Sequence, residues 1–117
     1  MNNVPGGLSQ TKTLHSGATA SANGGALVCD DGRTGAKTIA IFEITGITGD
    51  TITFKGRVTP SSSYTAVECE DMADSTSKAT TATADGVYRC TCLGLYDMIA
   101  DLTRVGGTVT VIGKTCA

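Results

Sequence analysis

Aromatic side chains are scarce in this chain. They make up 4% of its 117 residues, and tryptophan is missing altogether. A sugar-binding platform, which needs exposed rings, has little material to draw on. Charge is short as well: Asp, Glu, Lys and Arg together reach 17%, against a usual quarter. The nine Lys and Arg are scattered and the net charge is −2, which leaves no basic footprint for nucleic acid. No segment approaches the about 20 apolar residues of a spanning helix, and no amphipathic stretch would lie on a bilayer. Neither nucleic acid nor membrane is expected as a partner. The start, Met1-Asn2-Asn3-Val4-Pro5-Gly6-Gly7-Leu8, lacks the positive end and apolar run of a signal peptide, so folding in the cytosol is expected.

Catalytic patterns are missing too. His15 is the single histidine, and no nucleophile sits in a G-x-S-x-G turn beside which it could serve. There is no phosphate-binding glycine loop, and nothing favours a carboxylate pair for glycoside chemistry. The acidic run Glu68, Glu70, Asp71 and Asp74 lacks the regular spacing of a calcium loop and reads as a solvated loop. Asp30-Asp31-Gly32 reads as a turn. No enzyme activity, cofactor or metal is expected.

What fills the chain is Thr, Ala, Ser and Gly around apolar runs, a mixture too patterned for disorder. Its length suits one domain with one core. The organising stretch is Thr38 to Val58. Thr38-Ile39-Ala40-Ile41-Phe42-Glu43-Ile44-Thr45 and Thr51-Ile52-Thr53-Phe54-Lys55-Gly56-Arg57-Val58 are rich in β-branched and aromatic residues. The link Gly46-Ile47-Thr48-Gly49-Asp50 predicts a hairpin between them. The second run alternates, with Ile52 and Phe54 on one face. The first is apolar on both faces and reads as a central strand.

Further strands are expected at Lys12–His15, Ala26–Cys29, Tyr64–Glu70, Ser77–Ala84, Val87–Leu93 and Tyr96–Val105. A last one, Thr108–Gly113, is expected to pair back through a hairpin at Gly106-Gly107. Turn signals every 8–12 residues and about eight strands predict an all-β, single-domain antiparallel sandwich of jelly-roll type over residues 11–117. Residues 1–10 read as an extended N-terminal arm. Asn2, Val4, Pro5 and Leu8 on it are the candidate partner-binding residues.

Five cysteines, Cys29, Cys69, Cys90, Cys92 and Cys116, read as reduced thiols that serve as small apolar residues. Cys90 and Cys92 share a strand face with Tyr88. Their spacing is not that of a zinc turn, and i, i+2 positions lie near the limit of a disulfide's reach. Cys116, beside the C-terminus, is the one that could bridge subunits.

From the central stretch onward the order of motifs resembles small β-sandwich virion proteins of tailed bacteriophages. The residues that carry it are Thr51-Ile52-Thr53-Phe54-Lys55-Gly56, Thr81-Ala82-Thr83-Ala84-Asp85-Gly86-Val87-Tyr88-Arg89, Leu93-Gly94-Leu95 and Gly107-Thr108-Val109-Thr110-Val111-Ile112-Gly113. These are strand and turn motifs, not a site. The resemblance implies a structural role: a capsid decoration (cement) protein, or a neck or tail component. It implies contact with the major capsid protein or other virion proteins. It also implies a homo-oligomer, a trimer among the arrangements, assembled in the bacterial host cytoplasm and carried in the virion. The competing class is a ligand-binding sandwich, for carbohydrate or a host receptor, built on Tyr64 and Tyr96.

Overall fold

The computed structural model describes residues 10–30, 32 and 36–116, and within them it is all β. Eleven strands follow in order: β1 (Gln10–Ala18), β2 (Ala26–Val28), β3 (Ile39–Thr45), β4 (Thr51–Arg57), β5 (Thr65–Ala66), β6 (Cys69–Asp71), β7 (Asp74–Ala79), β8 (Thr81–Ala82), β9 (Gly86–Thr91), β10 (Asp97–Thr103) and β11 (Val109–Cys116). One sheet has six strands in the order β1-β11-β3-β9-β6-β7. The other runs β2-β10-β4-β5, with β8 also on β4. Every pairing is antiparallel. The expected β-sandwich is therefore present. Two expected runs are each divided, Tyr64–Glu70 into β5 and β6 and Ser77–Ala84 into β7 and β8. In both cases the two pieces belong to different sheets.

The expected hairpins do not form. β3 and β4 lie in opposite sheets, as do β10 and β11. β3 is central, held by β11 and β9, while β4 is held by β10, β5 and β8. The physical reason is where the apolar faces point. Ala40, Phe42 and Ile44 on β3, and Ile52 and Phe54 on β4, are all fully buried. Two strands joined by a short link can bury such faces against each other only by standing in facing layers, so the link becomes an arch. Phe42 and Phe54 meet across the sandwich at 5.2 Å between ring centroids, and Phe54 meets Tyr88 of β9 at 5.5 Å. Leu14, Leu27, Met98, Leu102, Val109 and Val111 complete the core around these rings.

Both arches are pinned by one carboxylate. Asp50, fully buried, accepts hydrogen bonds from the Thr48 amide at 2.8 Å and from the Val105 and Gly106 amides of the β10–β11 arch. Glycine is required where the two arches touch. A side chain on Gly46, at φ +86°, would meet the Thr108 carbonyl, and one on Gly107 would strike the Asp50 carboxylate and the Gly46 carbonyl.

Among the described residues one core group is unsatisfied. The Thr115 hydroxyl on β11 is completely buried and has no hydrogen-bond partner. Thr115→Val keeps the shape and removes the stranded hydroxyl. It is expected to raise stability by about 1 kcal/mol, read as a higher urea midpoint at unchanged slope.

Candidate functional site

The predicted contact residues Asn2, Val4, Pro5 and Leu8 lie outside the described residues. The described chain begins with Gln10, already paired with Thr115 in β1. That pair lies at one end of the sandwich. Ile39 pairs with both Cys116 and Thr91 there, and Asp97 pairs with Arg57. The same end carries two of the most exposed large apolar side chains, Val58 at 65% and Leu93 at 64%. Val58 follows directly on β4 and Leu93 lies two residues past the end of β9, so the strand ends place both at the rim.

Behind this rim lies a polar cluster that sequence reasoning missed. Asp97, at the start of β10, is buried. Its carboxylate takes a two-pronged contact from Arg57, Nε at 2.9 Å and Nη2 at 3.0 Å, and a third hydrogen bond from the Tyr64 hydroxyl at 2.9 Å. Arg57 also donates to the Pro60 carbonyl at 2.8 Å. Its guanidinium lies 4.6 Å from the Tyr64 ring centre and 5.8 Å from that of Tyr96. The Asp97 carboxylate holds the Arg57 pKa above its ordinary value, and burial, then the bond to Asp97, pushes the Tyr64 phenol up. The structure thus brings Tyr64 and Tyr96 together, but around a cation from the protein itself. A ring already stacked on Arg57 and tied through its hydroxyl closes the β4–β5 loop onto the sheet. It is not free to lie under a sugar.

The acidic run is used locally. Asp71 accepts from the Ala73 amide at 2.9 Å. Asp74 accepts from the Thr76 hydroxyl at 2.6 Å and the Thr76 amide at 3.1 Å, and these hold its pKa below the usual value. These are turn contacts of the β6–β7 hairpin. Among the described residues no group of three or more His, Cys, Asp or Glu side chains could hold a metal ion. His15 is buried, and its Nε2 donates to the Ala100 carbonyl at 2.6 Å, which ties β1 to β10 across the core.

A cavity of about 230 Å³ opens on the six-stranded sheet among Glu68, Cys69, Glu70, Lys78, Arg89 and Cys90. Arg89 and Glu70 pair at 2.8 Å on its wall. Four of the five thiols, those of Cys29, Cys69, Cys90 and Cys92, are buried, as the reading of cysteine as apolar filler expects; Cys116 is half-buried. The Cys90 thiol lies 3.6 Å from the Met98 sulfur.

Both edges of the large sheet are protected against strand addition. β1 carries two register shifts, between Thr13 and His15 and between His15 and Ala18. β7 is exposed along its whole length and carries Asp74 and Lys78.

No family profile matches this chain, and no curated protein matches it in sequence. Two solved structures share its fold. The SPBc2 prophage-derived protein YomS is 22% identical with a TM-score of 0.81, over 100% of this chain and 98% of that one. The PBSX exported protein XepA is 18% identical with a TM-score of 0.82, over 94% of this chain but only 38% of that one. At these identities the likeness establishes the fold: this chain has the two-sheet architecture that makes up nearly all of the first protein and a little over a third of the second.

Proposed function

We propose that the protein is a non-enzymatic structural component of a bacteriophage virion, a capsid decoration protein that stabilises the shell through repeated subunit contacts. The observation that carries this reading is the end-to-end fold match with a protein described as prophage-derived. The site chemistry agrees with it. Polar clusters at Asp50 and Asp97 close on the protein's own backbone and side chains, which suits a rigid building block. In this proposal residues 1–9, which join the described chain at Gln10, and the exposed Val58 and Leu93 at the same end as Gln10 grip one neighbour together. Many copies of a modest contact of this kind add up through multivalency.

Deleting residues 1–9 keeps every residue of the described strands, Gln10 and its partner Thr115 included, and the truncated protein is expected to fold, as circular dichroism would check. The truncated protein is expected to lose its oligomeric mass in light scattering. Its affinity for capsids of the phage that encodes it is expected to fall by about tenfold or more in co-sedimentation. A full-length protein that is monomeric and ignores those capsids overturns the proposal. Antibody labelling of intact particles separates a place on the shell from one in the neck or tail.

A further inference from the structure

We propose that Cys69 and Cys90 form a redox dithiol, which closes to a cross-strand disulfide when the folded protein meets a low-molecular-weight disulfide such as glutathione disulfide. The inference is independent of the virion role.

It rests first on register. β6 and β9 pair Glu70 with Arg89 and Asp71 with Tyr88, so the next opposed pair is Cys69 and Cys90. The Met72 amide donates to the Val87 carbonyl at 2.9 Å, which makes that pair a hydrogen-bonded one. Alternation along an antiparallel ladder then makes Cys69 and Cys90 a non-hydrogen-bonded pair, the kind with the closer side chains. Cα atoms in such pairs lie about 4.5 Å apart, within the span that a disulfide bridges.

Access is the second observation. The two side chains face inward and are 3% and 6% exposed, and both residues border the cavity beside Glu70, Lys78 and Arg89. β6 is three residues long, and β7 beyond it is exposed throughout, so this edge opens more readily than the core. The other neighbouring thiols, Cys29 and Cys92, are 1% and 0% exposed and flank Lys37, whose amide donates to the Cys29 carbonyl at 2.9 Å and whose carbonyl faces the Cys92 thiol at 3.6 Å. They do not line the cavity. Oxidation is therefore selective for the first pair.

The Cys69 thiol donates toward Cys90, and that bond and burial push its pKa up. Cys90, the more exposed of the two, is taken as the attacking sulfur. Its thiolate, once formed by loss of a proton to solvent, attacks one sulfur of the glutathione disulfide. The old S–S bond breaks and one glutathione thiolate leaves. Cys69 then loses its proton and attacks the Cys90 sulfur of the mixed disulfide, releasing the second glutathione. The two protein thiols have given up two electrons and two protons, and the small disulfide has become two thiols.

The test uses the full-length reduced protein, incubated with glutathione disulfide without denaturant, then alkylated with N-ethylmaleimide in denaturant and mapped by mass spectrometry. The expected product carries one internal disulfide between Cys69 and Cys90, about 2 Da lighter before alkylation, with three other cysteines alkylated. Its Tm is expected to rise by about 10 °C, and dithiothreitol reverses the rise. A Cys69→Ala variant is expected to retain glutathione on Cys90 as a stable mixed disulfide. Five alkylated cysteines after the incubation, or a map that joins Cys29 to Cys92 instead, overturns the proposal with no variant needed.

Discussion

Truncating Phe54 to alanine is expected to remove about 4 kcal/mol of folding stability, the upper part of the range for a fully buried aromatic ring. Phe54 is completely buried on β4 and lies within 5.5 Å, centroid to centroid, of both Phe42 and Tyr88 from the opposite sheet. It is the side chain of the five-stranded sheet that both rings of the six-stranded sheet rest on. With only 4% aromatics, the chain has no other ring to fill the space. Deletion leaves a cavity whose walls belong to two separate hydrogen-bonded layers, and these cannot close without moving one sheet over the other. A domain of this size holds about 5–15 kcal/mol in total, so the variant approaches instability at 37 °C. Urea denaturation followed by circular dichroism measures the loss. Val105→Ala serves as control, because Val105 is 66% exposed. A loss below about 1 kcal/mol for Phe54→Ala contradicts this account of the core.

That ring was legible in the sequence and its partners were not. Period-two alternation placed Ile52 and Phe54 on one buried face and put Tyr88, Cys90 and Cys92 in line. Strand existence follows from local composition, and alternation reports which face is dry. Neither reports which strand lies alongside. Gly46-Ile47-Thr48-Gly49-Asp50 and Gly106-Gly107 have the composition of hairpin loops and are in fact arches. A glycine link permits reversal within a sheet or between sheets, and only the burial of both apolar faces decides. Once the arches are misread, every residue whose role depends on them is hidden. Asp50 looks like a turn residue until the β10–β11 arch is brought against it.

The same holds at the rim. Arg57 and Tyr64 lie 40 and 33 residues before Asp97 in sequence, and no spacing rule joins them to it. Cys69 could be set opposite Cys90 only through the β6–β9 register, which depends in turn on Tyr64–Glu70 being two strands. The signals that could have flagged these sites were weak but present. An aspartate closing a glycine-rich link and another opening an apolar strand are both residues whose burial needs a partner.

Asp50 is where the second large effect is expected. Replacing it with alanine strands the Thr48, Val105 and Gly106 amides, which then have neither water nor carboxylate, and both arches loosen together. The melting temperature is expected to drop by about 10 °C or more at pH 7. Asp50→Asn separates the charge from the geometry. Backbone amides, first that of Thr48 and then that of Val105, hold the carboxyl down to about 2 from an ordinary 3.8. Folding thus favours the ionised form, and the stability it contributes is complete above the unfolded pKa and lost as pH falls through the folded one. Wild type is therefore expected to exceed Asp50→Asn by a constant margin from neutral pH down to about pH 4, and the margin then shrinks toward pH 2. Other carboxylates, Asp74 among them, titrate in both proteins and cancel in the difference. Thermal melts of the pair at matched ionic strength read this directly. A margin unchanged between pH 7 and pH 2 would mean that the arches are held by shape alone and that the buried charge contributes nothing.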